Sequence, residues 1–170
     1  IPWGDARLGY DFPTEVLTFD PGGPFWHDFD TLCVKLYAED LYGNGLDTLE
    51  YCFGTDFSIP VIWNMIPPMD AVIGSSTPII SFGLHDSITG VADTSLWISI
   101  DTNGALIDTL WFVYSEFLMI DDSVVLDPAI LGIAFSDSDT VTVCMGAYDS
   151  PNYCEPNELD SCWSFIISLG

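Results

Sequence analysis

Residues 139–165 read DTVTVCMGAYDSPNYCEPNELDSCWSF. Val141, Val143, Met145 and Ala147 alternate with Thr142, Cys144 and Gly146; the pattern breaks at a polar loop, then resumes with Trp163 and Phe165 on one phase. A period of two on both sides of a loop predicts a β-hairpin with one buried face. The same hairpin is written once before, over residues 30–57, as DTLCVKLYAEDLYGNGLDTLEYCFGTDF. Asp30-Thr31 matches Asp139-Thr140, and Leu32, Val34, Leu36 and Ala38 match Val141, Val143, Met145 and Ala147. Asp40 matches Asp149, and Cys52-Phe53 matches Cys162-Trp163. Upstream, Phe19-Asp20-Pro21 matches Leu126-Asp127-Pro128, so a repeat with an offset of about 110 residues organises the chain.

The repeat length suits modules of about 100 residues, the size of an immunoglobulin-like sandwich. Acids outnumber bases 26 to 2, for a formal charge of −24, and the two bases are Arg7 and Lys35. Repulsion excludes nucleic acid and anionic membrane as partners. Acidity of this degree often marks disorder, yet 49% of residues are hydrophobic and 14% aromatic, which predicts a folded chain. That apolar content fits either a well-stocked core or surface shared with another chain or module. Self-repulsion in a compact chain calls for counter-charge, outside cells usually Ca²⁺, Mg²⁺ or salt. No apolar run reaches transmembrane length, so membrane insertion is not expected. Five cysteines set on hairpins rather than in CxxC pairs predict disulfides and an extracellular or cell-surface setting. The start at Ile1, without a Met, reads as a processed product or a segment of something longer.

Within residues 1–29, Val16, Leu17 and Phe19 predict a strand and Pro21-Gly22-Gly23-Pro24 a loop. The first hairpin turns through Asp40-Leu41-Tyr42-Gly43-Asn44-Gly45. Prolines in residues 58–68 mark a junction at which Val61-Ile62-Trp63 opens the second module. Further strands are predicted over residues 79–84, 96–100, 106–114, 117–120 and 123–126, and no segment carries a helical period. The fold class is therefore all-β: residues 59–170 form one complete immunoglobulin-like β-sandwich, and residues 1–58 the C-terminal half of a preceding module, completed in trans or by upstream sequence.

Five segments also resemble the bacterial immunoglobulin-like modules that occur in tandem in secreted and surface proteins. These are Thr77-Pro78-Ile79-Ile80-Ser81-Phe82, Asp86-Ser87-Ile88-Thr89-Gly90-Val91, Thr94 to Asp101 with Asn103-Gly104, Trp163-Ser164-Phe165, and the turn Asp40-Leu41-Tyr42-Gly43-Asn44. The second hairpin departs from the family pattern, with an enlarged loop that carries Cys154. The resemblance implies a spacer, adhesive or ancillary module and brings no catalytic residue with it.

His27 and His85 lack the oriented partner that general-base work needs, so both read as structural and the chain as no enzyme. No cofactor is required; Ca²⁺, which takes six to eight oxygens, is the ion the acidic hairpin loops invite. Its candidate ligands are Asp40, Asn44 and Asp47 in the first loop, and Asp149, Asn152, Glu155 and Asp160 in the second. Neither loop has EF-hand spacing. Trp26, Trp97, Trp111, Tyr114, Tyr148 and Tyr153 admit a glycan-stacking platform, the property of an ancillary module of a secreted hydrolase. The apolar flanks of Trp97, Leu96 and Ile98, favour a packed interface instead.

Cys33 and Cys52 share the outward phase of their strands, which predicts a cross-strand bridge. Cys162 occupies the Cys52 position, whereas Cys144 lies two residues past the Cys33 position, so Cys154 is expected to bridge Cys162; Cys144 is left over or exchanges with Cys154. Leu32, Val34, Leu36, Phe53 and Phe57, with Val61 and Trp63, form the expected interface. The reading is a structural repeat or subunit of a bacterial surface filament, stalk or adhesin that self-associates through β-strand and apolar contacts.

Overall fold

The computed structural model describes all residues except 3, 24 and 113–116. The chain divides into two compact units, Ile1–Phe57 and Ser58–Gly170. Among the described residues no helix is long and apolar enough to cross a membrane.

Unit 2 is all-β and holds two multi-stranded sheets. One has the order β10(Leu118–Ile120), β11(Ser123–Leu126), β7(Ile80–His85), β5(Val61–Ile66). The other has the order β6(Val72–Ile73), β13(Glu158–Ile167), β12(Thr140–Tyr148), β8(Trp97–Thr102), β9(Ala105–Trp111). Period-two alternation gives each sheet one apolar face. Ile80, Phe82, Leu84, Val124 and Leu126 of the first share a single buried cluster with Ile98, Ile100, Leu110, Val141, Val143, Met145, Trp163, Phe165 and Ile167 of the second. Two sheets closed over one core make a β-sandwich. Trp163 meets Phe82 edge to face at 5.6 Å, and its indole N–H donates to the Pro67 carbonyl at 3.0 Å, which satisfies the one polar atom this large side chain buries.

Two glycines let tryptophans lie on the sheets. Trp63 stands opposite Gly83, and Trp97 opposite Gly146. A Cβ on Gly83 would fall 2.2 Å from Cε2 of Trp63, and one on Gly146 2.4 Å from Nε1 of Trp97. Each indole thus covers backbone that a larger residue would hold off.

Unit 1 is built differently. It contains two separate antiparallel ribbons, β1(Leu8–Asp11) with β2(Val16–Phe19) and β3(Thr31–Leu36) with β4(Leu49–Gly54). The β3–β4 ladder continues through Thr55 N–H to the Asp30 carbonyl and Phe29 N–H to the Thr55 carbonyl, and the Thr55 hydroxyl donates to the His27 carbonyl at 2.6 Å. Ion pairs hold both of the chain's strong bases. Arg7 binds Asp5 at 2.9 Å and its guanidinium lies over the Phe19 ring, while Lys35 reaches Glu50 at 3.1 Å. Hydrogen bonds from the Arg7 guanidinium and N–H hold the Asp5 carboxyl down at about 2. Among the described residues, every buried apolar side chain belongs to unit 2.

The two hairpins of the repeat pair in different registers. Cys33 faces Cys52 across β3–β4, and the bridge between them forms with their Cα atoms 4.1 Å apart. Carried over by the repeat, that register would put Thr142 opposite Cys162. In β12–β13 the partner of Cys162 is instead Cys144, and Thr142 faces Ser164. The pairing expected between Cys154 and Cys162 is therefore corrected: Cys144 bridges Cys162, and Cys154 is a free, exposed thiol in the loop. A slip of two residues leaves every side chain on its original face, so alternation alone does not reveal it.

Candidate functional site

Two buried carboxylates meet where β7 and β12 end. Asp86 follows β7 and opens a tight loop, in which its Oδ1 accepts the N–H groups of Ile88, Thr89 and Gly90 at 3.0–3.1 Å. Gly90 turns with φ +76°, a conformation L side chains rarely adopt. The loop is tied to the end of β12 by Ala92 N–H to the Tyr148 carbonyl at 2.8 Å, Ser150 N–H to the Gly90 carbonyl at 3.0 Å, and a bridge between Val91 and Asp149. Asp149 in turn accepts Asn157 N–H on Oδ1 at 2.6 Å and the Asn157 amide Nδ2 on Oδ2 at 2.7 Å.

Asp86 is 6% exposed and Asp149 1%, and each offers a carboxylate oxygen within 4.8 Å of the other's. Unit 2 contains no Lys or Arg to offset them. At an effective dielectric near 20, two charges at that spacing repel by about 3–4 kcal/mol. One Ca²⁺ with oxygens at about 2.4 Å bridges donors up to roughly 4.8 Å apart, so the pair has the spacing of two ligands to one cation. Beside it a cleft of about 410 Å³ is lined by Asp86, Asp93, Asp121 and Asp122 together with His85, Phe112 and Met119. His85 Nδ1 lies 3.4 Å from Asp122 Oδ2, and His27 Nδ1 lies 3.5 Å from Asp30 Oδ2.

Of the loop residues singled out in the sequence, Asp40 and Asn44 come together. Asp40 Oδ1 accepts the N–H groups of Tyr42 and Asn44, and Oδ2 accepts Asn44 Nδ2 at 2.6 Å. The Asn44 side-chain bond, followed by its backbone N–H, lowers the Asp40 pKa below the usual carboxylate value. These bonds make a closed turn whose carboxylate already has donors. Asp47 is exposed in the same loop. In the second loop Asn152 and Glu155 are exposed, and Asp160 stands on β13 opposite Gly146. The partners of Asp149 are Asp86 and Asn157, neither of which the sequence reading assigned to a metal. The signal for Asp86 was the spacing Asp-x-x-x-Gly, which predicts a carboxylate folded back on its own loop.

A second cluster close enough to hold a metal ion lies in unit 1, on Cys33, Glu50 and Cys52, with the two sulfurs joined in the disulfide. The other face of that ribbon is apolar. Leu32 pairs with Phe53, Val34 with Tyr51 and Leu36 with Leu49, and Val34, Leu49, Tyr51 and Phe53 are between 38% and 54% exposed. Phe57 is exposed, as are Val61 and Trp63 on edge strand β5.

Trp97 and Trp111 are cross-strand neighbours on the outward face of the five-stranded sheet, and Tyr148 lies two residues beyond Gly146 on the same phase. A hydrogen bond to Glu158 raises the Tyr148 phenol pKa. Trp26 packs edge to face on Phe53 at 6.0 Å, Tyr153 is fully exposed, and Tyr114 lies outside the described residues.

The fold and site define an all-β protein with a β-sandwich unit, two cross-strand disulfides and a buried acidic pair. No protein family and no curated protein matches the chain. Among solved structures it is similar to CopC from Methylosinus trichosporium OB3b, at 12% identity and a TM-score of 0.47, over 64% of this chain and 93% of that one.

Proposed function

We propose that the chain is a non-enzymatic structural module of an extracellular bacterial assembly, a surface filament, stalk or adhesin built from tandem immunoglobulin-like sandwiches. The observation that carries this reading is the uncovered apolar face of β3–β4. Its counterpart in unit 2, the β12–β13 hairpin, has the matching side chains buried against the opposite sheet, whereas Val34, Leu49, Tyr51 and Phe53 stand half-open. A lone two-stranded ribbon is marginally stable in water, and an apolar face of this kind calls for a cover. A neighbouring module supplies it, from a second copy or from the next repeat in the same protein. Two disulfides agree with an oxidising compartment. Sedimentation over a range of concentrations tests the reading: self-association is expected, and Val34→Asp with Tyr51→Asp should abolish it. A wild-type monomer whose β3–β4 amides resist hydrogen exchange would show that the face needs no cover, and the reading falls.

Calcium is the ion this module takes, through Asp86 and Asp149, with Asn157 holding Asp149 in place. Two buried like charges without a base are relieved by a divalent cation, and their oxygens are spaced for one.

The second reading is glycan binding, favoured by Trp97, Trp111 and Tyr148 on one outward sheet face. Titration with neutral oligosaccharides should then quench tryptophan fluorescence, and Trp111→Ala should remove the response. An unchanged spectrum across plant and bacterial glycans eliminates it.

A further inference from the structure

The outward face of the β3–β4 ribbon carries a row that the apolar side does not need. Cys33 faces Cys52, and Lys35 faces Glu50, so the disulfide and the chain's single lysine are adjacent on one surface. The oxygen of Glu50 and the two sulfurs all lie within 4.8 Å of one another, and all three residues are exposed. We propose that this exposed bridge is a reducible one, and that its reduced form is a thiolate site for zinc or a similar thiophilic divalent ion, with Cys33, Cys52 and Glu50 as ligands.

The redox step needs an external dithiol. One of its thiolates attacks a bridge sulfur and forms a mixed disulfide as the other cysteine leaves as thiolate. The second thiol of the reagent then displaces the first cysteine. The dithiol is oxidised by two electrons to its cyclic disulfide, and Cys33 and Cys52 are each reduced to a thiol. Access favours this bridge over Cys144–Cys162: Cys33 and Cys52 are both exposed, whereas Cys144 is half-buried on β12 between β13 and β8. Lys35, two residues from Cys33 on the same face, is bound to Glu50 at 3.1 Å and offsets the carboxylate charge that would otherwise oppose thiolate formation.

The geometry suits the metal once the S–S bond is gone. Thiolates on a tetrahedral zinc at about 2.3 Å lie roughly 3.8 Å apart, a separation that two cross-strand neighbours reach without moving the ribbon far. Glu50, two residues before Cys52 on the same face, supplies the third ligand, and the fourth position stays open to water. Metal binding releases the two thiol protons to solvent. Zinc, two thiolates and the carboxylate sum to one negative charge, and Lys35 balances it. The second hairpin has an acid at the matching place, Asp160, but across from it stands Gly146 with the Trp97 indole laid on its backbone.

The full chain with Cys154→Ser, which removes the free loop thiol, tests this. After treatment with dithiol and anaerobic desalting, mass-resolved alkylation should label Cys33 and Cys52 and leave Cys144–Cys162 intact. One equivalent of Co²⁺ should then give the near-ultraviolet thiolate-to-cobalt charge-transfer band, competed away by Zn²⁺. The oxidised protein, which keeps all its carboxylates, should give none, and this comparison requires no further variant. Glu50→Gln should weaken the binding and Cys33→Ser with Cys52→Ser should abolish it. The proposal is overturned by prior reduction of Cys144–Cys162, by a reduced protein without the band, or by a band that survives the double serine variant. Equal affinity in Glu50→Gln removes Glu50 from the site.

Discussion

At Gly146 the chain has room for no side chain, because the indole of Trp97 rests where a Cβ would be. The obstruction is a ring packed flat on the sheet rather than the mobile end of a flexible side chain, so relief requires the indole to lift. Gly146→Ala should therefore destabilise unit 2 by about 1–3 kcal/mol, the range for overpacking a filled site. Urea unfolding followed by tryptophan fluorescence measures it; an unchanged midpoint would mean that the contact contributes nothing. The sequence announced Trp97 between apolar Leu96 and Ile98 and so suggested a tryptophan packed on both sides of its strand. The structure reaches partial cover by another route, with the glycine of the neighbouring strand as the seat. Nothing in a single strand's alternation identifies which residue will lie opposite, and for that reason the seat was not legible.

Hairpins were legible because alternation survives in each strand separately, and both β3–β4 and β12–β13 fall where the period-two runs stand. Register is a relation between strands, and the repeat was a misleading guide to it. Superposing the hairpins by sequence places Cys144 diagonal to Cys162, whereas the actual pairing sets the two directly opposite. Non-reducing peptide mapping should return Cys33–Cys52 and Cys144–Cys162, with Cys154 alkylated before any reductant is added. A Cys154–Cys162 peptide in native material would contradict the register of β12–β13. Short strands β1 and β6 escaped the sequence reading. Leu8–Asp11 interrupts its two large residues with a glycine, and Val72–Ile73 is too short to show a period.

For the whole molecule, the acidic excess suggested an ion, and its place was the part sequence could not supply. Asp86 and Asp149 are separated by most of unit 2 and meet only because β7 and β12 end at the same place. If Ca²⁺ binds there, it stabilises the native state by mass action, by about 2.7 kcal/mol when free ion exceeds the dissociation constant a hundredfold. Millimolar Ca²⁺ should raise the melting temperature, EDTA should reverse the rise, and Asp149→Asn should erase the difference. Superimposable melting curves with chelator and with Ca²⁺ would remove the ion from the account.

The ion pairs of unit 1 have one more consequence. Arg7 and Lys35 are the only residues after which a trypsin-like protease can cut; one is clamped to Asp5 and stacked on Phe19, the other is paired with Glu50 inside a strand. From Ser58 to Gly170 such an enzyme finds no cleavable bond, folded or unfolded. Proteases of that specificity therefore spare unit 2 by its composition alone, independently of how tightly its sheets are packed.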